Sequence, residues 1–206
     1  MLFYRELNMQ GADPVGYSYF QYLEDCNEFG SGRVPAWLFT PGMLFGSREK
    51  WWPDAGYRPT AHEGLDICYF TDGLGRVLQL HSGTKVPVMN AGTVMAICDD
   101  FLGRSVFLEH DRDGLISVYA HIVPLRIIAP GFKVGEGEVI GNVAGTTGRK
   151  NRMPAHLHVT IMNIPPGLSG KPLDWNFICG SGRVLLLDPL KMMVCPSYRI
   201  LPRIDG

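Results

Sequence analysis

The sequence predicts a mostly β protein built on antiparallel sheet, with few helices. Three observations carry that expectation. Glycine and proline are abundant, with 25 Gly and 15 Pro in 206 residues, which favours many turns between short strands. From about residue 66 onward the pattern is strand, turn, strand, with β-branched or alternating segments. Evidence for helix is thin by comparison.

Taken in order, residues 1–29 form an aromatic-rich N-terminal arm that ends in the acidic stretch containing Glu24, Asp25 and Glu28. The Gly30–Ser31–Gly32 segment reads as a break, so the main domain is expected over 30–195, followed by a tail at 196–206. Within it, Val86 to Cys98 holds short β-branched runs around Gly92. Ser105–His110 and Leu115–Ile122 flank the polar turn Asp111–Arg112–Asp113–Gly114, the signature of a hairpin. Val134 to Val143 is β-branched and punctuated by glycine, and His156 to Met162 alternates.

Composition narrows the function classes. With 46% hydrophobic and 19% charged residues, the chain is long enough for one domain with a proper core. A net charge of −1 and the lack of a long basic run leave nothing to track phosphates, which sets nucleic acid aside. The five cysteines make no CxxC pair, so neither a zinc ribbon nor a thioredoxin-type site is indicated. No apolar run approaches the roughly 18–20 residues of a transmembrane segment. The opening MLFYRELNMQGADP also lacks the apolar core of a secretory signal.

The chemistry concentrates in histidines. In a strand, successive side chains point to opposite faces. Leu157, Val159 and Ile161 then share a core-facing side, and His156 and His158 the other. The same rule gives the second hairpin strand an apolar face of Ile116, Val118, Ala120 and Ile122, opposite Ser117, Tyr119 and His121. His62–Glu63–Gly64–Leu65–Asp66 adds a histidine and a carboxylate. Extended, those two would lie about 13 Å apart, from a rise near 3.3 Å per residue. A shared metal requires the segment to turn, and Gly64 supplies a residue that turns without steric cost.

Two histidines and one carboxylate are a common ligand set for a catalytic zinc, with the fourth position left for water. Further histidines beside that water would accept its proton and stabilise a developing oxyanion. Any one histidine alone is more often structural or solvated. His81 and His110 are read that way, and Glu63 as solvated surface. Trp51 and Trp52, with Tyr57, either line a groove or pack the segment before His62.

At these residues the chain resembles the M23 family of zinc peptidases, the lysostaphin-like or LytM-like endopeptidases. The matching pieces are HEGLDI at 62–67, VYAHI at 118–122, GEVIGNVAGTTG at 137–148 and HLHVTI at 156–161. Phe45–Gly46–Ser47–Arg48 resembles the family's FGxR entry, and Leu187–Asp188–Pro189–Leu190 its closing segment. The resemblance implies one Zn2+ per chain, held by His62, Asp66 and His158. It makes His121 and His156 the catalytic pair and offers Tyr57 as an oxyanion partner. It also implies a fold of the duplicated hybrid motif type, with a substrate groove over the zinc.

The implied substrates are peptides, above all peptidoglycan cross-links or stem peptides, cut outside the cytoplasmic membrane. Two departures stand out: the longer, basic link RKNRMPA before HLH, and Thr160 where many members carry an acidic residue. An M23-like module that has lost activity and only binds partners is disfavoured, because all five positions are filled. A phosphocarrier is disfavoured because it has no use for Asp66 or for further histidines. For the arm, packing on the sheet as ordinary structure is expected. The other reading comes from relatives in which an upstream segment fills the open zinc position. Oligomeric state is not legible.

Overall fold

A computed structural model of the chain describes residues 18–29, 34–52, 56–100, 103–145, 153–165, 178 and 182–202. Among these residues the protein is mostly β, as the sequence predicts. Among the described elements, fourteen strands form three sheets, accompanied by two short α-helices and one 3-10 turn (Pro41–Met43).

The largest sheet positions the site. Its backbone order is β10 (Lys133–Val134), β6 (Gly92–Asp100), β7 (Gly103–His110), β8 (Ile116–Ala120), β12 (Leu157–Asn163) and β13 (Leu185–Leu187), all antiparallel. A further short strand, β2 (Leu65–Ile67), pairs with β12. One edge of β12 therefore carries β8. The other is divided between β2 at Leu157–Val159 and β13 at Ile161–Asn163.

The expected hairpin is present as β7 and β8. Gly114 closes its turn at φ +66°, with its N–H donating to the His110 carbonyl at 3.1 Å. That left-handed backbone favours glycine.

A four-stranded sheet is ordered β14 (Tyr198–Ile200), β1 (Ala36–Phe39), β3 (Tyr69–Thr71) and β4 (Val77–Gln79). Its β1–β14 pair is parallel, the single departure from antiparallel pairing among the described strands. A three-stranded sheet is ordered β5 (Lys85–Pro87), β11 (Val139–Val143) and β9 (Ile122–Pro124).

Part of the N-terminal arm is core rather than appendage. Helix α1 (Tyr19–Asp25) buries Tyr19, Phe20 and Leu23 completely. Phe20 packs 5.2 Å from the Trp37 ring of β1, and Tyr19 lies 6.0 Å from Tyr119 of β8. Each such side chain contributes about 1.5–3 kcal/mol of burial, so this segment belongs energetically to the sheets. Residues 1–17 of the arm, the Gly30–Ser31–Gly32 break and residues 203–206 of the tail lie outside the described residues. The short helix α2 (Pro189–Met192) starts at Asp188, whose side chain accepts from the Leu190 N–H at 3.1 Å. The Asp–Pro pair thus serves as N-cap and first helical residue.

Two apolar clusters sit on opposite faces of the large sheet. Leu157, Val159 and Ile161 of β12 enter the main one with Tyr119 of β8 and Leu65 of β2. Ile116 and Val118 of β8 join Met162 and Phe107 in the smaller one. The division bears directly on the site.

Candidate metal centre

Asp66 and His158 stand directly opposite each other on β2 and β12, so their side chains leave the sheet on one face within reach of one another. His62 precedes β2, in a segment pinned by two backbone bonds, His62 N–H to the Ser47 carbonyl and Gly46 N–H to the His62 carbonyl. Gly64 joins His62 to Asp66, for a different reason than the sequence suggests. Its φ is not positive. A Cβ there would lie 2.3 Å from the Val159 carbonyl oxygen and 2.8 Å from His158 Nε2. Only a residue without a side chain lets this segment lie so close against β12.

Three donor atoms converge. His158 Nδ1 lies 2.8 Å from Asp66 Oδ1 and 3.2 Å from His62 Nε2, and His62 Nε2 lies 3.3 Å from Asp66 Oδ1. Metal–donor bonds of about 2.0–2.1 Å in a tetrahedron place donors roughly 3.3 Å apart. The trio therefore matches the face of a small tetrahedral ion. All three residues are buried.

The outer ring nitrogens are also held. His62 Nδ1–H donates to the Leu44 carbonyl at 3.1 Å, which leaves its inward Nε2 with a lone pair. His158 Nε2 lies 2.9 Å from Thr160 Oγ1, a hydroxyl able to accept an N–H there when Nδ1 binds an ion. Burial opposes the negative charge of Asp66, yet His62, His156 and His158 hold its carboxyl well below the usual range. It is ionised.

His156 and His121 lie alongside, their ring centroids 4.4 Å apart. His156 Nδ1–H donates to the Pro154 carbonyl at 2.8 Å, and Nε2 faces the cluster 3.7 Å from Asp66 Oδ1. Burial pushes its pKa down, and nearby Asp66 only partly restores it. A buried, neutral imidazole with its acceptor nitrogen turned inward suits proton transfer.

His121 reaches the site by a route that strand alternation does not give. The register pairs Tyr119 with Val159 and Ala120 with His158. Tyr119 and Ser117 thus face the main core, and the set Ile116, Val118 and Ala120 shares the face of His158. Simple alternation would send His121 into the core with Tyr119. Instead β8 ends at Ala120, and His121 adopts φ +59°. This left-handed turn reverses the parity of the chain. Ile122, on the next strand, packs in the main core rather than with Val118, while His121 turns to His156. A non-glycine residue at such φ costs about 1–2 kcal/mol, a strain characteristic of functional positions. The expectation that Tyr119 and Ser117 share a non-core face with His121 is corrected accordingly. Both are fully buried, and the Tyr119 hydroxyl accepts from the Met89 N–H at 2.8 Å.

Tyr57 is placed differently from the five site residues. It forms an isolated bridge with Glu49, and its side chain is 76% exposed. Glu63, read as solvated surface, is buried, its carboxylate accepting from Thr60 Oγ1 at 3.4 Å. His110 is structural as expected, buried and hydrogen-bonded to Ser117 Oγ at 3.0 Å. Lys150 and Arg152 of the basic link lie outside the described residues.

Sequence reasoning missed two residues. Trp51 Nε1–H donates to Asp66 Oδ2 at 2.6 Å, and Arg58 Nη2 lies 3.4 Å from the same oxygen. A signal existed in hindsight only for Trp51, singled out as aromatic but not as a donor. Nothing in the local sequence marks Arg58.

The profile of peptidase family M23 matches residues 71–175, just over half of the chain. The chain belongs to peptidase family M23. The matched stretch of this M23 chain contains His121, His156 and His158 and begins after His62 and Asp66.

Among solved structures, it is similar to a protein assigned to peptidase M23 from Pseudomonas aeruginosa, at 28% identity over 60% of this chain and 48% of the other, with a TM-score of 0.38. It is similar to lysostaphin in solution at 19% identity over 73% of this chain and 48% of the other, TM-score 0.44. The catalytic domain of the antimicrobial peptidase lysostaphin from Staphylococcus simulans matches at 22% over 71% and 86%, TM-score 0.44. The chain thus spans about half the length of the first two. No curated protein matches it. Among the described residues, no helix is long and apolar enough to cross a membrane.

Proposed function

We propose that this M23 chain is a zinc metalloendopeptidase that hydrolyses peptide bonds of peptidoglycan, with His62, Asp66 and His158 as ligands and His121 and His156 as the catalytic pair. One observation carries the reading. Two imidazole nitrogens and one carboxylate oxygen converge at 2.8–3.3 Å, close to the spacing of a tetrahedral ion's donors. A divalent ion held by His62, Asp66 and His158 would lower the pKa of its water to about 7 and polarise a carbonyl.

The chain's own residues supply the rest. His156, with its N–H committed to the Pro154 carbonyl, takes up at Nε2 a proton from the water that adds to the carbonyl carbon, and returns it to the leaving amine as the C–N bond breaks. His121, beside it, donates a hydrogen bond to the carbonyl oxygen as negative charge develops. Burial of the cluster keeps solvent from weakening these interactions. Tyr57, exposed, enters as a third contributor only through the family resemblance. Cell-wall peptides as substrate follow from that resemblance too, and hydrolysis of peptides from family membership.

The test pairs elemental analysis of the purified protein with loss of turbidity of cell-wall sacculi, with and without chelator. About one zinc per chain and chelator-sensitive lysis is the expected result. A protein that takes up no metal when zinc is supplied overturns the proposal.

A further inference from the structure

We infer that Trp51 and Arg58 are positioning residues that clamp the outer oxygen of Asp66, so that the carboxylate offers a single oxygen to the metal. The inference rests on the metal-site reading above. Asp66 Oδ1 points to His158 and His62, at 2.8 and 3.3 Å. Oδ2 is engaged by the Trp51 indole N–H at 2.6 Å and by Arg58 Nη2 at 3.4 Å. The two oxygens of one carboxylate are thus assigned to different tasks.

The clamp is itself held in place. Arg58 Nη1 donates to the Gly42 carbonyl at 2.7 Å and to the Glu49 carbonyl, and its guanidinium lies 5.1 Å from the Trp52 ring centroid. The Trp51 ring meets His156 edge-on at 5.1 Å and Tyr69 at 6.0 Å. One indole therefore fixes a ligand through its N–H and supports the neighbouring imidazole through its ring. A carboxylate fixed with one oxygen inward completes a set of two nitrogens and one oxygen. That set suits a small tetrahedral ion, whereas calcium takes six to eight oxygen ligands.

Outer partners of this kind are typically worth about 10–100-fold in metal affinity. The test uses the full chain and measures zinc affinity by competition with a chromophoric chelator, together with the absorption spectrum of the cobalt-loaded protein. Trp51→Phe keeps an aromatic side chain beside His156 and removes the indole N–H together with part of the ring. Arg58→Gln removes the charge and keeps a donor, and far-ultraviolet circular dichroism checks that each variant folds. Trp51→Phe is expected to weaken zinc binding by about tenfold or more and to shift the cobalt bands, with Arg58→Gln weaker in the same direction. Folded variants with wild-type zinc affinity and an unchanged cobalt spectrum overturn the clamp. A wild-type protein that binds neither ion overturns instead the metal site beneath it, so the two failures are distinguishable.

Discussion

Strands β8 and β12 lie side by side, yet they yield their histidines in opposite ways. In β12 the alternation is faithful: Leu157, Val159 and Ile161 enter the main core and His158 leaves on the other face. In β8 both faces are buried, by Tyr119 and Ser117 on one side and by Ile116 and Val118 on the other. Alternation then says which residues go together but not which set meets the larger core. His121 reaches the site only because the backbone breaks the pattern at φ +59°. The proposed ligands Asp66 and His158 thus sit on a regular strand pair, whereas the proposed catalytic His121 sits on strained backbone.

The largest expected effect breaks the strained side of that comparison. His121→Asn keeps a residue that tolerates the left-handed backbone. Turnover should fall about 10²–10⁴-fold, with folding stability within about 1 kcal/mol of wild type by denaturant titration. A drop of several kcal/mol would show that the imidazole holds the turn rather than serving chemistry.

Next comes the regular side. Gly64→Ala places a methyl group against the Val159 carbonyl, and overpacking of this kind costs about 1–3 kcal/mol. The melting temperature should fall, and with it metal content at limiting zinc. A variant that folds and loads like wild type would mean that β12 readily gives way.

A gentler change sharpens the account of tautomers. Thr160→Val preserves shape but removes the acceptor for His158 Nε2–H. Zinc affinity should weaken about tenfold, whereas Thr160→Ser restores it. Equal affinity in all three would leave the hydroxyl without a role.

The smallest effect concerns His110, a histidine buried for structure on β7. Burial lowers its pKa below the ordinary value near 6.5. The unfolded chain then binds the proton more readily, so this contribution is present above about pH 6.5 and is lost as pH falls toward the folded value. In chelated protein, His110→Gln should lose less stability than wild type between about pH 7 and 5. Identical pH profiles would contradict that burial.

Much of the fold was legible because its signals are local. The β7–β8 hairpin follows from Asp111–Gly114, and β12 from its alternation. Strand β1 is Ala36–Phe39, four consecutive buried apolar residues with no period to read. The burial of α1 depends on Trp37 and Tyr119, both distant in sequence. At the site, the residues brought together are those whose spacing and resemblance singled them out, apart from Tyr57. The tether of Asp66 was hidden, because a hydrogen bond from Trp51 or Arg58 depends on how the segment before His62 folds back. Gly64 was noticed for its freedom to turn, but its requirement is a close approach to β12 that no single segment reveals.

The most direct test of the central claim is the metal content of five single alanine variants, at His62, Asp66, His158, His121 and His156, after equal exposure to zinc. The first three should lose the ion, while the His121 and His156 variants keep about one per chain and lose turnover. Loss of metal from His121→Ala to the same extent as from Asp66→Ala would contradict the division between ligands and catalytic pair.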